Sequence, residues 1–192
     1  MSRVSLLLVL ALWLPAAPAL AGEALWSLLE RGGLVVLMRH ASTPPMTGDP
    51  PGFRLEDCST QRNLTDAGRD EARRVGAAFR SRRVPVDQVL SSRWCRCLET
   101  ARLVFGAAEP WPILDNLLRP RGRDAAREAE QTQAARARIA AWRGPGNLVL
   151  VTHGVNILPL TGFVPVMGEL VVVTPRAPDG FTVVGRLAAY AM

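Results

Sequence analysis

"LVVLMRHAST", residues 34–43, and "NLVLVTHG", residues 147–154, decide the fold. Each holds four or five consecutive apolar residues and stops at a histidine. An unbroken apolar run of that length suits a central parallel strand, because helices cover both of its faces. His40 and His153 are the only histidines in the chain, and Arg39 precedes the first. A third run, "VDQVLSS" at 86–92, reads as another strand and leads into Arg93 and Arg96.

Helical patterns separate these strands. "ALWSLLERG" (24–32) is a short amphipathic helix that ends at a glycine. "NLTDAGRDEARRVGAAFRSRR" (63–83) places Thr65 at an N-cap and Asp66 in the first turn, with Ala72, Val75, Ala78 and Phe79 on one apolar face. "RCLETARLVF" (96–105) is a short helix, and "DAAREAEQTQAARARIAAW" (124–142) is a long one stopped by "RGPG". "ELVVVTP" (169–175) and "FTVVGRL" (181–187) read as a closing hairpin around "RAPDG". Alternating strands and helices predict an α/β fold: a single three-layer domain, with a mostly parallel central sheet and helices on both faces. There are no internal repeats and no linker, and 192 residues suffice for one domain with a sizeable core.

The first twenty-one residues stand apart. "MSRVSLLLVLALWLPAAPALA" has one positive charge, an apolar stretch and a small-x-small ending, the pattern of a secretory signal peptide cut after Ala21. The expected domain is therefore 22–192, periplasmic or secreted, with no membrane insertion after cleavage. Three cysteines remain, and an oxidising compartment favours a bridge from Cys58 to Cys95 or Cys97. The rival zinc reading lacks a matching histidine pattern. All 23 basic residues are arginine, against 17 acidic ones, for a net charge of +6. That usage is equally the mark of a GC-rich genome and identifies no partner. No basic stretch is interleaved with aromatics, so a nucleic-acid partner is not expected.

Ligands of open parallel sheets sit beyond the carboxyl ends of the strands. Three strand ends here aim two imidazoles and several guanidiniums at one rim. Such a rim attracts an anion with several oxygens, phosphate above all, since arginine binds its oxygens in bidentate fashion.

These residues resemble the histidine phosphatase superfamily, also called the phosphoglycerate-mutase-like fold. "RHAST" resembles its Arg-His-Gly-x-Thr signature, with Ala41 for glycine. "NLTDAGRDEA" resembles its Leu-Thr-x-x-Gly helix start, "SSRWCRCLETA" the segment carrying its second arginine, and "VTHGVNI" its second histidine motif. The resemblance implies His40 as nucleophile, with Arg39, Arg96 and His153 holding the phosphoryl oxygens and His153 protonated beside the phosphate. Thr43, Asn156 and Arg62 are further candidates for substrate binding. The family's usual glutamate acid has no clear counterpart here, which leaves Glu169 and Asp115 as candidate proton donors. No cofactor and no metal is implied, because arginine and imidazolium supply the positive charge. The implied partner is a small phosphorylated substrate or a phosphoprotein. Specificity is expected in the loop from Ser42 to Cys58 and around Leu114 to Asp124. A non-catalytic phosphate binder using the same pocket is the alternative.

Overall fold

Strand β1 (Val35–Arg39) lies between the parallel strand β4 (Asn147–Thr152) and the antiparallel strand β5 (Leu170–Arg176) in the computed structural model. The structure describes residues 18–46, 48–118, 124–178 and 180–189, and side chains from residue 22 onward. Beyond β4 come β2 (Val86–Ser91) and the two-residue edge strand β3 (Glu109–Pro110), both parallel; beyond β5 comes β6 (Gly180–Leu187), antiparallel. The order is β3-β2-β4-β1-β5-β6. Four strands are therefore parallel, and the hairpin forms one antiparallel flank.

The central strands are buried on both faces, and their side chains alternate between two cores. Val36, Met38, Val149, Val151, Leu170 and Val172 join one cluster, with Ala72, Val75 and Phe79 of α2 (Asp66–Ser81) and Cys97, Ala101 and Val104 of α3 (Cys95–Phe105). Leu25, Trp26 and Leu29 of α1 (Pro18–Arg31) belong to the same side. Val35, Leu37, Leu148, Leu150, Val171 and Val173 face the other cluster, with Ala135 and Ile139 of α4 (Ala125–Ala140) and Ile157 and Leu160 of α5 (Gly154–Thr161). This is the three-layer arrangement expected. Each fully buried valine or leucine contributes about 1.5–3 kcal/mol of transfer free energy.

Local signals also hold. The Thr65 side chain accepts from the Gly68 amide, and Asp124 caps α4 through Ala126 and Arg127. Gly68 brings α2 against the loop after β1, since a Cβ there would lie 2.1 Å from the Ser42 carbonyl oxygen.

Two differences are informative. Helix α1 is longer than the "ALWSLLERG" pattern and runs across the expected cut after Ala21; the rest of the expected signal, residues 1–17, lies outside the described residues. Strand β3 went unanticipated, because a Glu-Pro dipeptide carries no alternation. Residues 119–123 of the expected specificity region, and Asp179 of the hairpin turn, are also outside the described residues. Among the described residues, no helix is long and apolar enough to cross a membrane.

Candidate active site

Strand register builds the site. Arg39 pairs with Thr152, so His40 and His153 leave the sheet side by side. Ser91 pairs with Val151 on the other flank of β4, which brings Ser92 beside Thr152 and within side-chain reach of His153. The two imidazole rings lie 5.4 Å apart, centroid to centroid, in an edge-to-face arrangement.

The main chain of His40 is held from both sides: its amide donates to the Thr152 carbonyl, and its carbonyl accepts from Gly168. The next amide, Ala41, donates to Thr100 Oγ1. Ala41 is fully buried, so its methyl group is accommodated where the family has glycine. His40 Nδ1 lies 2.9 Å from the Ala41 carbonyl oxygen. A carbonyl only accepts, so Nδ1 carries the proton and Nε2 keeps its lone pair. Burial first, and then the charge of Arg96, hold this imidazole well below its ordinary value of 6.5, against the opposing pull of the Ala41 carbonyl. His40 is a neutral ring with one free nitrogen.

His153 caps α5, with Nε2 2.9 Å from Ser92 Oγ and Nδ1 3.5 Å from Arg96 Nη2. Burial and Arg96 hold it neutral as well. The protonation expected beside phosphate would therefore have to come with the anion's own charge.

A cavity of about 190 Å³ opens above the rings, walled by Arg39, His40, Arg62, Asn116, His153 and Gly154, with Met46, Leu118 and Val164 at its mouth. Gly154 permits this packing, because a Cβ would meet Val164 Cγ1 at 2.7 Å and the Arg39 guanidinium at 3.4 Å. Arg39 Nη1 donates to the Pro165 carbonyl, and Arg62 Nη1 to that of Met46. The Nε groups of Arg39, Arg62 and Arg96 are buried with no hydrogen-bond partner. Burial first, and then the neighbouring Arg96, hold Arg39 and Arg62 below the ordinary arginine value. Crowded, desolvated guanidiniums with orphaned donors are a concentration of positive charge suited to an oxyanion.

The remaining expectations divide. Arg96, the second residue of α3, sits against His153 but is fully buried and does not line the cavity. Thr43 is buried and points its hydroxyl at Met167 Sδ, 3.6 Å away. Asn156 braces the chain beneath the pocket, donating to the Asp115 carbonyl. Neither carboxylate named as proton donor lines the cavity. Asp115 is fully buried, accepting from the Arg93 amide at 3.0 Å and the Arg93 guanidinium at 2.9 Å. Glu169 is gripped by Arg186 at 2.6 and 2.8 Å and accepts from the Val166 amide at 2.7 Å.

Residues beyond the sequence candidates also belong to the site. Asp49, in the loop after β1, pairs with Arg96 at 2.6 Å, and its side chain is only 3% exposed. Its sole sequence signal is its place in the long polar loop. That loop is fastened to α3 by a disulfide between Cys58 and Cys95, and Cys97 is a buried free thiol. Among the described residues no cluster of side chains is suited to holding a metal ion. A larger groove of about 730 Å³ beside the β2–β3 edge has neither histidine nor orphaned guanidinium.

A sequence profile of the histidine phosphatase superfamily (branch 1) matches residues 35–121. Solved structures share the fold. The protein histidine phosphatase SixA complexed with tungstate is 19% identical over 82% of this chain and 97% of its own, with a TM-score of 0.52. A putative alpha-ribazole-5'-P phosphatase from Escherichia coli is 18% identical, covering 79% and 94%, with a TM-score of 0.58. The Rv3214 protein of Mycobacterium tuberculosis is 18% identical, covering 83% and 100%, with a TM-score of 0.61. No curated protein matches the chain. The profile match, the shared fold and the paired histidines support assignment of the chain to the histidine phosphatase superfamily.

Proposed function

We propose that the protein is an exported phosphatase that hydrolyses phosphomonoesters or phosphoramidates through a phosphohistidine on His40. The observation that carries this reading is the state of His40: neutral, with Nδ1 tied to the Ala41 carbonyl and Nε2 free beside orphaned guanidinium donors. Nε2 attacks phosphorus, the bond to the leaving group breaks, and the departing group takes its proton from solvent. Water then attacks the phosphohistidine, releasing inorganic phosphate and restoring the ring. Arg39 and Arg62, with Arg96 behind them, hold the charge on the equatorial oxygens. Arginine supplies that charge, so turnover is expected to persist in a metal chelator.

The candidate acids Asp115 and Glu169 are engaged by arginines outside the cavity, which favours a substrate whose leaving group departs without a protein proton. The SixA structure bears the name protein histidine phosphatase, and a phosphoramidate or phosphoprotein substrate fits this chemistry. The amino-terminal pattern supports export, and amino-terminal sequencing of the exported protein should begin at Gly22.

The engagement of both candidate acids also favours the second reading, a phosphate-binding protein without turnover. Purified protein supplied with para-nitrophenyl phosphate separates the two. An enzyme releases phosphate, and His40→Ala abolishes the release; a binder protects phosphate without releasing it.

A further inference from the structure

We propose that Asp49 is a positioning residue for the phosphate pocket, a buried counter-charge that fixes Arg96 and Arg62 and keeps the empty site from holding phosphate too tightly. This rests on the phosphatase reading above.

The Asp49 carboxylate is saturated by donors from separate parts of the chain. Oδ1 accepts from Arg96 Nη1 at 2.6 Å and from the Arg62 amide at 3.0 Å. Oδ2 accepts from Trp94 Nε1 at 2.9 Å and from Arg96 Nη2 at 3.3 Å. Both partners of the ion pair are buried, Arg96 completely. Arg96 Nη1 also reaches the Arg62 carbonyl, and Nη2 reaches His153 Nδ1. One carboxylate therefore sets the guanidinium that touches His153 and the main chain of an arginine that walls the cavity. A group held by four donors is not poised to swing into the pocket as an acid, nor to leave it as a gate.

Charge arithmetic gives the second half. Arg39, Arg62 and Arg96 surround two imidazoles, and among the described residues Asp49 is the anion in direct contact with Arg96. Removing its charge raises the positive potential on the cavity by one unit across a few ångströms of protein, enough to strengthen anion binding about tenfold or more. It also frees Arg96 to rotate, which costs preorganisation in the transition state. A role in folding alone would weaken binding and turnover together. The counter-charge role moves them in opposite directions.

The test is Asp49→Asn, with inorganic phosphate as probe by calorimetry or thermal shift, and kcat on para-nitrophenyl phosphate. The expected result is phosphate binding tightened about tenfold with kcat lowered at least about tenfold. Unchanged or weaker phosphate binding overturns the proposal. Tighter binding with kcat unchanged or raised also overturns it, since the carboxylate would then merely compete for Arg96. A buried arginine without its partner can unfold a protein, so the double variant Asp49→Asn/Arg96→Met serves beside it. It removes both charges and is expected to bind phosphate no more tightly than wild type; tenfold tighter binding by the double variant contradicts the inference. If the wild-type protein binds no phosphate at all, it is the phosphatase reading that fails.

Discussion

The Ser92 hydroxyl lies 2.9 Å from His153 Nε2, and both side chains are buried. With Nδ1 facing the cationic Arg96 Nη2, a pure donor, the neutral ring places its proton on Nε2 and gives it to Ser92 Oγ. Ser92 thereby orients the ring that stands beside His40. Ser92→Ala leaves the Nε2–H only the weaker acceptor Cys97 Sγ, 3.5 Å away, and should lower kcat/KM about tenfold. Steady-state kinetics on para-nitrophenyl phosphate check this, and a change below about threefold would detach Ser92 from the site.

The two depressed histidines fix the sign of the pH response. In the unfolded chain they titrate near 6.5; folded, they titrate well below it. Below pH 6.5 the unfolded state therefore binds more protons, so stability is lost as pH falls from about 6.5 toward the folded values. Denaturant midpoints between pH 8 and pH 5 should decline only below that point, and the acid limb of kcat/KM should fall well below 6.5, where His40 itself takes a proton. An acid limb at or above 6.5 would mean that His40 is not the desolvated ring described.

Reducing the protein should matter in two ways. The Cys58–Cys95 bridge closes a span of 37 residues and ends next to Arg96. Paired Cys58→Ser and Cys95→Ser substitutions should lower stability by about 2–4 kcal/mol and reduce kcat as the loop carrying Asp49 loosens. Cys97, whose burial pushes its thiol up to about 12, should resist alkylation in the folded protein and react only on unfolding. Denaturant titration and steady-state kinetics read the first result, and mass mapping of alkylated peptides reads the second.

Asp115 and Glu169 should behave as braces. Asp115→Asn and Glu169→Gln each remove a buried carboxylate that accepts from an arginine, and are expected to cost about 1–3 kcal/mol of stability. In both, kcat/KM should stay within about threefold. A variant that loses a basic pH limb while keeping its stability would restore that carboxylate as a proton donor.

Much of this was legible in the sequence for one physical reason. Two apolar strands ending in the chain's only histidines leave little freedom once they pair in parallel, and the Arg39–Thr152 register brings the rings together. The closing hairpin, the Thr65 cap and the burial of α2 were readable because turns, caps and helical periodicity are local. What was hidden is non-local. Asp49 meets Arg96 across 47 residues, from a loop without periodicity. Asp115 and Glu169 lie near the rim as their positions suggested, but Arg93 and Arg186, which occupy them, arrive from 22 and 17 residues away. The bridge had two possible cysteines at one end, and only the turn of α3 places Cys95 toward Cys58 and Cys97 into the core.

The central claim is that His40 becomes covalently phosphorylated. Rapid acid quench after brief exposure to a labelled phosphomonoester, followed by peptide mapping, measures it directly. The account expects acid-labile, base-stable label on the peptide carrying His40, and none in His40→Ala. Turnover without any such label, or label that survives in His40→Ala, would contradict it.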